Sequence, residues 1–152
     1  MSPPAGEGHQ RRVALLRKLK DTLQAQRDRL ARYLTLLERQ EATIRGGDVD
    51  GIVRLAELET GLLREIGAIQ KVLGPLEQLY AEFYPDGEFQ IPPLRKAVSE
   101  LHNSVVRRNR GNRDLLRARL DRVRGELETA RSHSGPRSLY ADSEPSIIDI
   151  ST

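Results

Sequence analysis

The chain has 152 residues, enough for one domain, with 38% hydrophobic and 31% charged residues and a formal net charge of +3. This composition is typical of long helices packed along narrow seams rather than of a thick globular core. Cysteine is absent and the three histidines are scattered, so no disulfide and no metal site is expected. No stretch approaches the roughly 20 apolar residues of a membrane span, so we expect no membrane insertion.

The first helix is predicted over about 9–45, after a disordered leader at residues 1–8 that lacks the apolar segment of a signal peptide. Leucine or isoleucine recurs there at every seventh position, and the companion positions of this seam are partly polar. The first set is Leu16, Leu23, Leu30, Leu37 and Ile44, and the second is Leu19, Gln26, Tyr33 and Gln40. One edge of the helix is therefore expected to be aliphatic and the other half polar.

Gly46-Gly47-Asp48 separates the first two helices. Glycine just past a helix accommodates a left-handed cap, and Asp48 can accept hydrogen bonds from the first free amides of the next helix. So short a connection predicts an antiparallel hairpin. The second helix is predicted over about 49–80, with a seven-residue seam that only Glu59 interrupts. Gly74-Pro75 is expected to kink it near its end.

The third helix is predicted over about 93–132, after a turn and a proline pair that suits a helix start. A polar patch at 107–113 interrupts the apolar stripe of this helix, and the stripe resumes in a shifted register. The two halves of the helix are therefore expected to pack against different surfaces. Residues 133–152 are rich in Ser, Gly and Pro and are predicted to form a flexible tail with a candidate docking motif. The sequence thus predicts an all-α, antiparallel three-helix bundle built on a coiled-coil-like hairpin, with a long third helix and a disordered C-terminal tail.

Sequence motifs give no support for catalysis or for nucleic-acid binding. The chain has no glycine-rich phosphate loop, no nucleophile elbow and no paired histidine-glutamate motif, so we expect neither an enzyme nor a cofactor. The arginines between Arg107 and Arg113 could contact phosphates, but no aromatic residue stands nearby for base stacking. No nucleic-acid partner is therefore expected.

The distal part of the third helix carries the candidate binding surface. The hairpin and the first half of the third helix suffice for a core, so the later apolar residues are either ordinary core or a groove for a partner's amphipathic helix. These residues are Leu115, Leu116, Leu120, Val123 and Leu127. In the tail, Tyr140 is a large ring that either folds back on the bundle or docks on another protein.

Three segments resemble the FlgN-type flagellar export chaperones. Residues 44–52 resemble the family's Gly-Asp turn. Residues 55–66 are similar to the leucine-containing segment that follows this turn, although Leu58-Glu59 stands where the family usually carries Lys-Glu. Residues 109–116 resemble the family's Asn-x-x-Asn-x-x-Leu-Leu pattern, and Ser138-Leu139-Tyr140 follows after a gap.

The resemblance implies a cytoplasmic chaperone of the flagellar type III secretion system. Such a protein would bind the C-terminal helices of the hook-associated, hook-filament junction proteins, keep them unassembled and deliver them to the export gate. It would bind the client through the distal apolar residues and dock on the cytoplasmic domain of the gate through Leu139 and Tyr140, as a monomer or weak dimer. The alternative is a structural coiled-coil adaptor or scaffold that self-associates.

Overall fold

A computed structural model describes residues 5–151, with side chains for residues 6–133. The predicted all-α architecture with three helices is confirmed, and the described residues contain no strand. The helices are α1 (Ala5–Gly46), α2 (Val49–Phe83) and α3 (Ile91–Ser151). The chain divides into two compact units, Met1–Asn112 and Arg113–Thr152, which are described separately. None of the helices, over the described residues, is long and apolar enough to cross a membrane.

The helices extend beyond their predicted ends. Helix α1 begins at Ala5, so residues 5–8 are helical rather than part of a leader. The backbone of α3 is helical to Ser151, and the flexible tail from residue 133 stays a prediction. Ser, Gly and Pro lower helix propensity without ending a helix by themselves, and α2 likewise runs on through Gly74 and Pro75.

The predicted seam of α1 forms the core of Met1–Asn112. Two clusters of buried side chains lie along it, and each joins α1 to both α2 and α3. The first cluster contains Leu15, Leu19, Leu23, Leu76, Tyr80 and Ile91, and the second contains Leu30, Tyr33, Leu37, Ile66 and Val105. Full burial of a leucine side chain contributes about 1.5–3 kcal/mol, so the seven-residue repeat of α1 supplies much of the stability of this unit.

The hairpin turn has the geometry that its sequence predicts. Gly47 has a φ of 69°, in the left-handed region that favours glycine. The amide of Gly47 donates to the carbonyl of Ile44 at 3.2 Å, and the amide of Asp48 donates to that of Thr43 at 3.0 Å. The Asp48 carboxylate then accepts a hydrogen bond from the Gly51 amide at 3.0 Å, which caps the start of α2. These contacts end α1 and start α2 within two residues.

The second connection, residues 84–90, is fixed by a carboxylate. Gly87 has a φ of 85°, and its amide donates to the Tyr84 carbonyl at 2.9 Å. The carboxylate of Glu88 accepts hydrogen bonds from the amides of Gln90 and Ile91, the latter at 3.0 Å. Because free amides at a helix start favour an acceptor with negative charge, Glu88 fixes the start of α3, where Ile91 is fully buried.

Candidate functional site

The predicted client-binding residues lie on α3 beyond Asn112. Leu115 and Leu116 are half-buried, whereas Leu120, Val123 and Leu127 are 50%, 46% and 56% exposed. Every residue from 121 to 130 is exposed. The last three predicted residues therefore belong to no buried core within the described residues.

Helical periodicity places four of these residues in one row. Leu116, Leu120, Val123 and Leu127 are separated by four, three and four positions, so their side chains lie on the same face of α3. Leu115 is one position from Leu116 and therefore lies about 100° away from the row. We call these four residues the distal row. Such spacing is that of anchors that contact a partner helix.

Arginines accompany the distal row on one side. Arg113, Arg117, Arg124 and Arg131 follow each other at intervals of four, seven and seven residues, which places them along one edge of the row. None of the four forms an ion pair with a residue that the structure describes. On the opposite edge, Arg122 pairs with Glu126 at 3.4 Å. A helix lying on the distal row would therefore meet unpaired positive charge along one flank.

The residues predicted to dock on the export gate cannot be placed in the same way. The side chains of Leu139 and Tyr140 lie outside the part of the chain whose side chains the structure describes. Their role remains a prediction from the resemblance.

A polar network crosses all three helices just before the distal row. Asn112 is only 5% exposed, and its side-chain amide donates to the Leu37 carbonyl of α1 at 2.8 Å and approaches Gln40 Oε1 at 3.5 Å. The side-chain amide of Gln40 in turn donates to the Glu59 carboxylate of α2. Gln40 and Glu59 are two of the polar positions within the predicted seams. Each therefore has a partner on another helix.

An ion pair reinforces the same level of the bundle. The Arg108 guanidinium lies 2.8 Å from the Glu41 carboxylate and 3.9 Å from that of Glu38, both on α1. Part of the polar patch that interrupts the apolar stripe of α3 is thus used for packing against α1. The sequence did not predict these contacts between α3 and α1. Its one signal was the pair Asn109 and Asn112, three positions apart, together with a polar position in the seam of α1.

A cluster of aromatic and charged groups closes the other end of the bundle. The rings of Tyr80 and Tyr84 stack with centroids 5.4 Å apart. The Arg95 guanidinium lies 4.8 Å from the Tyr80 ring centroid, and the Arg12 guanidinium lies 4.8 Å from that of Tyr84. Arg95 also pairs with Glu77. Burial, with a smaller effect from the Glu88 carboxylate, raises the pKa of Tyr80. These contacts explain the buried tyrosine without invoking a ligand.

Comparison with known proteins identifies the family. The family described as FlgN protein matches residues 15–144. A protein of Treponema pallidum (strain Nichols), described as uncharacterized, is 38% identical over 143 residues, which cover 93% of this chain and 92% of the relative. No solved structure matches the chain. Because the match spans most of α1, all of α2 and most of α3, the chain belongs to the FlgN family, and this membership supports a general role as a flagellar export chaperone.

Proposed function

We propose that this protein is a cytoplasmic chaperone that binds the C-terminal helices of hook-filament junction proteins. It keeps these clients unassembled and delivers them to the flagellar type III export gate. Family membership supports the general role. The observation that carries the specific proposal is the distal row, an apolar stripe of four residues on a helix face that is largely exposed.

The chemistry of the distal row suits reversible capture of a helix. Covering Leu120, Val123 and Leu127 would remove apolar surface from water at about 25 cal/mol per Å², which favours association. A row of four anchors is small compared with a permanent interface, so release at the gate is expected to be feasible. Arginines along one flank favour a client helix that carries carboxylates on the matching edge.

A pair of substitutions tests the distal row. Leu120→Asp combined with Val123→Asp should weaken binding of a client's C-terminal peptide at least about tenfold, because two charges would be desolvated in the contact. The melting temperature should change little, because both side chains are exposed. The matched control is Val53→Asp with Leu63→Asp, a pair of exposed apolar residues on α2.

Fluorescence anisotropy with a labelled peptide measures the affinity, and circular dichroism measures folding. Equal loss of folding and binding would assign Leu120 and Val123 to the core. An equal effect of the control pair would show that binding is not local to the distal row.

Docking on the gate has its own test at Tyr140. Tyr140→Ala should keep the melting temperature and client affinity of the parent chain, and it should lose binding to the cytoplasmic domain of the export gate in a pull-down. A fall in stability with gate binding preserved would instead place the ring back on the bundle. Leu139→Ala is expected to weaken the same contact.

The exposed distal row also suits the alternative, a scaffold that self-associates through this face. Analytical ultracentrifugation separates the two functions. The chaperone is expected to sediment as a monomer or weak dimer, whereas a stable parallel dimer that Leu120→Asp dissociates would favour the scaffold.

A further inference from the structure

A second surface lies on the α1–α2 hairpin, within Met1–Asn112, and is separate from the distal row. It consists of two openings between the helices, with volumes of about 580 and 530 Å³. The first is lined by Ala14, Arg17, Lys18, Asp21, Thr22, Ala25, Ala68, Ile69 and Val72. The second is lined by Arg32, Thr35, Leu36, Arg39, Leu55, Glu57, Leu58, Gly61, Leu62 and Glu65. We call the two together the hairpin groove.

Residue spacing shows that the two openings lie in line. On α2, the lining positions follow each other at intervals of three and four residues from one opening to the next, which keeps them on one helix face. These positions are Leu55, Leu58, Leu62, Glu65, Ile69 and Val72. On α1, the lining extends from Ala14 to Arg39, a length of about 38 Å at 1.5 Å per residue. The hairpin groove could therefore hold a helix of about 25 residues.

The floor of the hairpin groove combines small residues with exposed apolar ones. Ala25, Gly61 and Ala68 leave room for a helix to approach α1 and α2 closely. Leu58 is 60% exposed and Val72 is 46% exposed, although each has the size of a core residue. Among the described residues, none of α3 lines either opening.

The two edges of the hairpin groove carry opposite charge. The α1 edge has Arg17, Lys18, Arg32 and Arg39, with Asp21 as its one acidic residue, and the α2 edge has Glu57 and Glu65. The four α1 cations form no ion pair with any residue that the structure describes, whereas Glu65 pairs with Arg29 at 3.0 Å. Unpaired positive charge is therefore concentrated along α1.

We propose that the hairpin groove binds one amphipathic helix of a partner protein. The apolar stripe of that helix lies between α1 and α2, and its carboxylates lie along α1, where they pair with the unpaired cations. A second copy of the chain fits less well. The α2 edge of a second copy carries only Glu57 and Glu65, and Glu65 already pairs with Arg29, so a second copy offers too few free carboxylates for the four cations of α1. The inference does not depend on client binding at the distal row.

A designed peptide probes the hairpin groove of the full chain. The probe is a fluorescein-labelled, 25-residue helix with Leu and Ala on one face, Glu along one flank and Gln elsewhere. A second peptide carries Lys in place of Glu. The Glu peptide should bind saturably in fluorescence anisotropy, and the Lys peptide should bind at least about tenfold more weakly.

Matched variants locate the binding site. Leu58→Gln should weaken binding of the Glu peptide about tenfold or more, whereas Leu63→Gln, at an exposed leucine outside the groove lining, should change it less than about twofold. Arg32→Glu with Arg39→Glu should reverse the preference between the two peptides.

Three results would overturn the proposal. The first is a lack of saturable binding. The second is that Leu120→Gln abolishes binding of the Glu peptide while Leu58→Gln leaves it unchanged, which would place the peptide on the distal row. The third is a dimer in analytical ultracentrifugation that Leu58→Gln converts to a monomer, because the hairpin groove would then be covered by a second copy.

Discussion

Replacing Asn112 with alanine tests whether the polar network holds α3 on the hairpin. Asn112 is buried and donates to the Leu37 carbonyl at 2.8 Å, while Asn109, three positions earlier on α3, is half-buried and has no hydrogen-bond partner among the described side chains. The two residues have the same side chain on the same helix. Asn109→Ala is therefore a matched control for Asn112→Ala.

The expected cost follows from the contacts. A hydrogen bond of this kind contributes about 1 kcal/mol, and the small void left by Asn112→Ala adds a fraction of that. The Leu37 carbonyl keeps the bond that a regular α-helix gives it, so the penalty for an unsatisfied acceptor is small. Alanine raises helix propensity by up to about 0.7 kcal/mol at both positions, and this gain cancels in the difference. Asn112→Ala should therefore be about 1–2 kcal/mol less stable than Asn109→Ala.

Urea unfolding followed by circular dichroism at 222 nm measures this difference. A loss of 1 kcal/mol corresponds to about 2–4 °C in melting temperature for a chain of this length. Equal stabilities for the two variants would refute the reasoning, because the buried amide of Asn112 would then contribute no more than the half-buried amide of Asn109.

Three further predictions concern the turn and the aromatic cluster. Gly47→Val should destabilise the fold by roughly 1 kcal/mol or more, because φ at this position is 69°. Gly51→Ala should cost about 1 kcal/mol in urea unfolding, because its Cβ would collide with the Asp48 carboxylate that caps α2. As a control, Gly67→Ala has open space around its Cβ and should stabilise the fold by about 0.5–1 kcal/mol. The pKa of Tyr80 is higher in the folded state, so the unfolded state loses the proton first and stability should fall as pH rises above about 10. Tyr80→Phe should remove this pH-dependent loss of stability in unfolding curves at pH 8–11.

The fold was largely predictable because its signals are local. The burial of Leu23, Leu30 and Leu37 follows from a seven-residue repeat, and the hairpin follows from the glycine and aspartate between the first two helices. The helix ends were less predictable. Ser, Gly and Pro alter propensity by amounts that a long helix can absorb, so α2 continues through Gly74 and Pro75.

The contacts between helices could not be predicted in the same way. Gln40 and Glu59 were visible as polar interruptions of two seams, but that they pair depends on the register of α1 against α2. The buried state of Asn112 depends on the register of α3 against α1. The hairpin groove was missed for a related reason. A sequence shows that α2 is apolar on more than one side, but it does not show which side α3 leaves uncovered.

The proposed function depends on capture of the C-terminal helix of a hook-filament junction protein. Isothermal titration of the full chain with a purified junction protein from the same organism tests it most directly, with the same client lacking its C-terminal helix as the control. We expect saturable one-to-one binding to the intact client and no binding to the truncated one. Equal heats of binding for the two clients, or no binding to either, would contradict it.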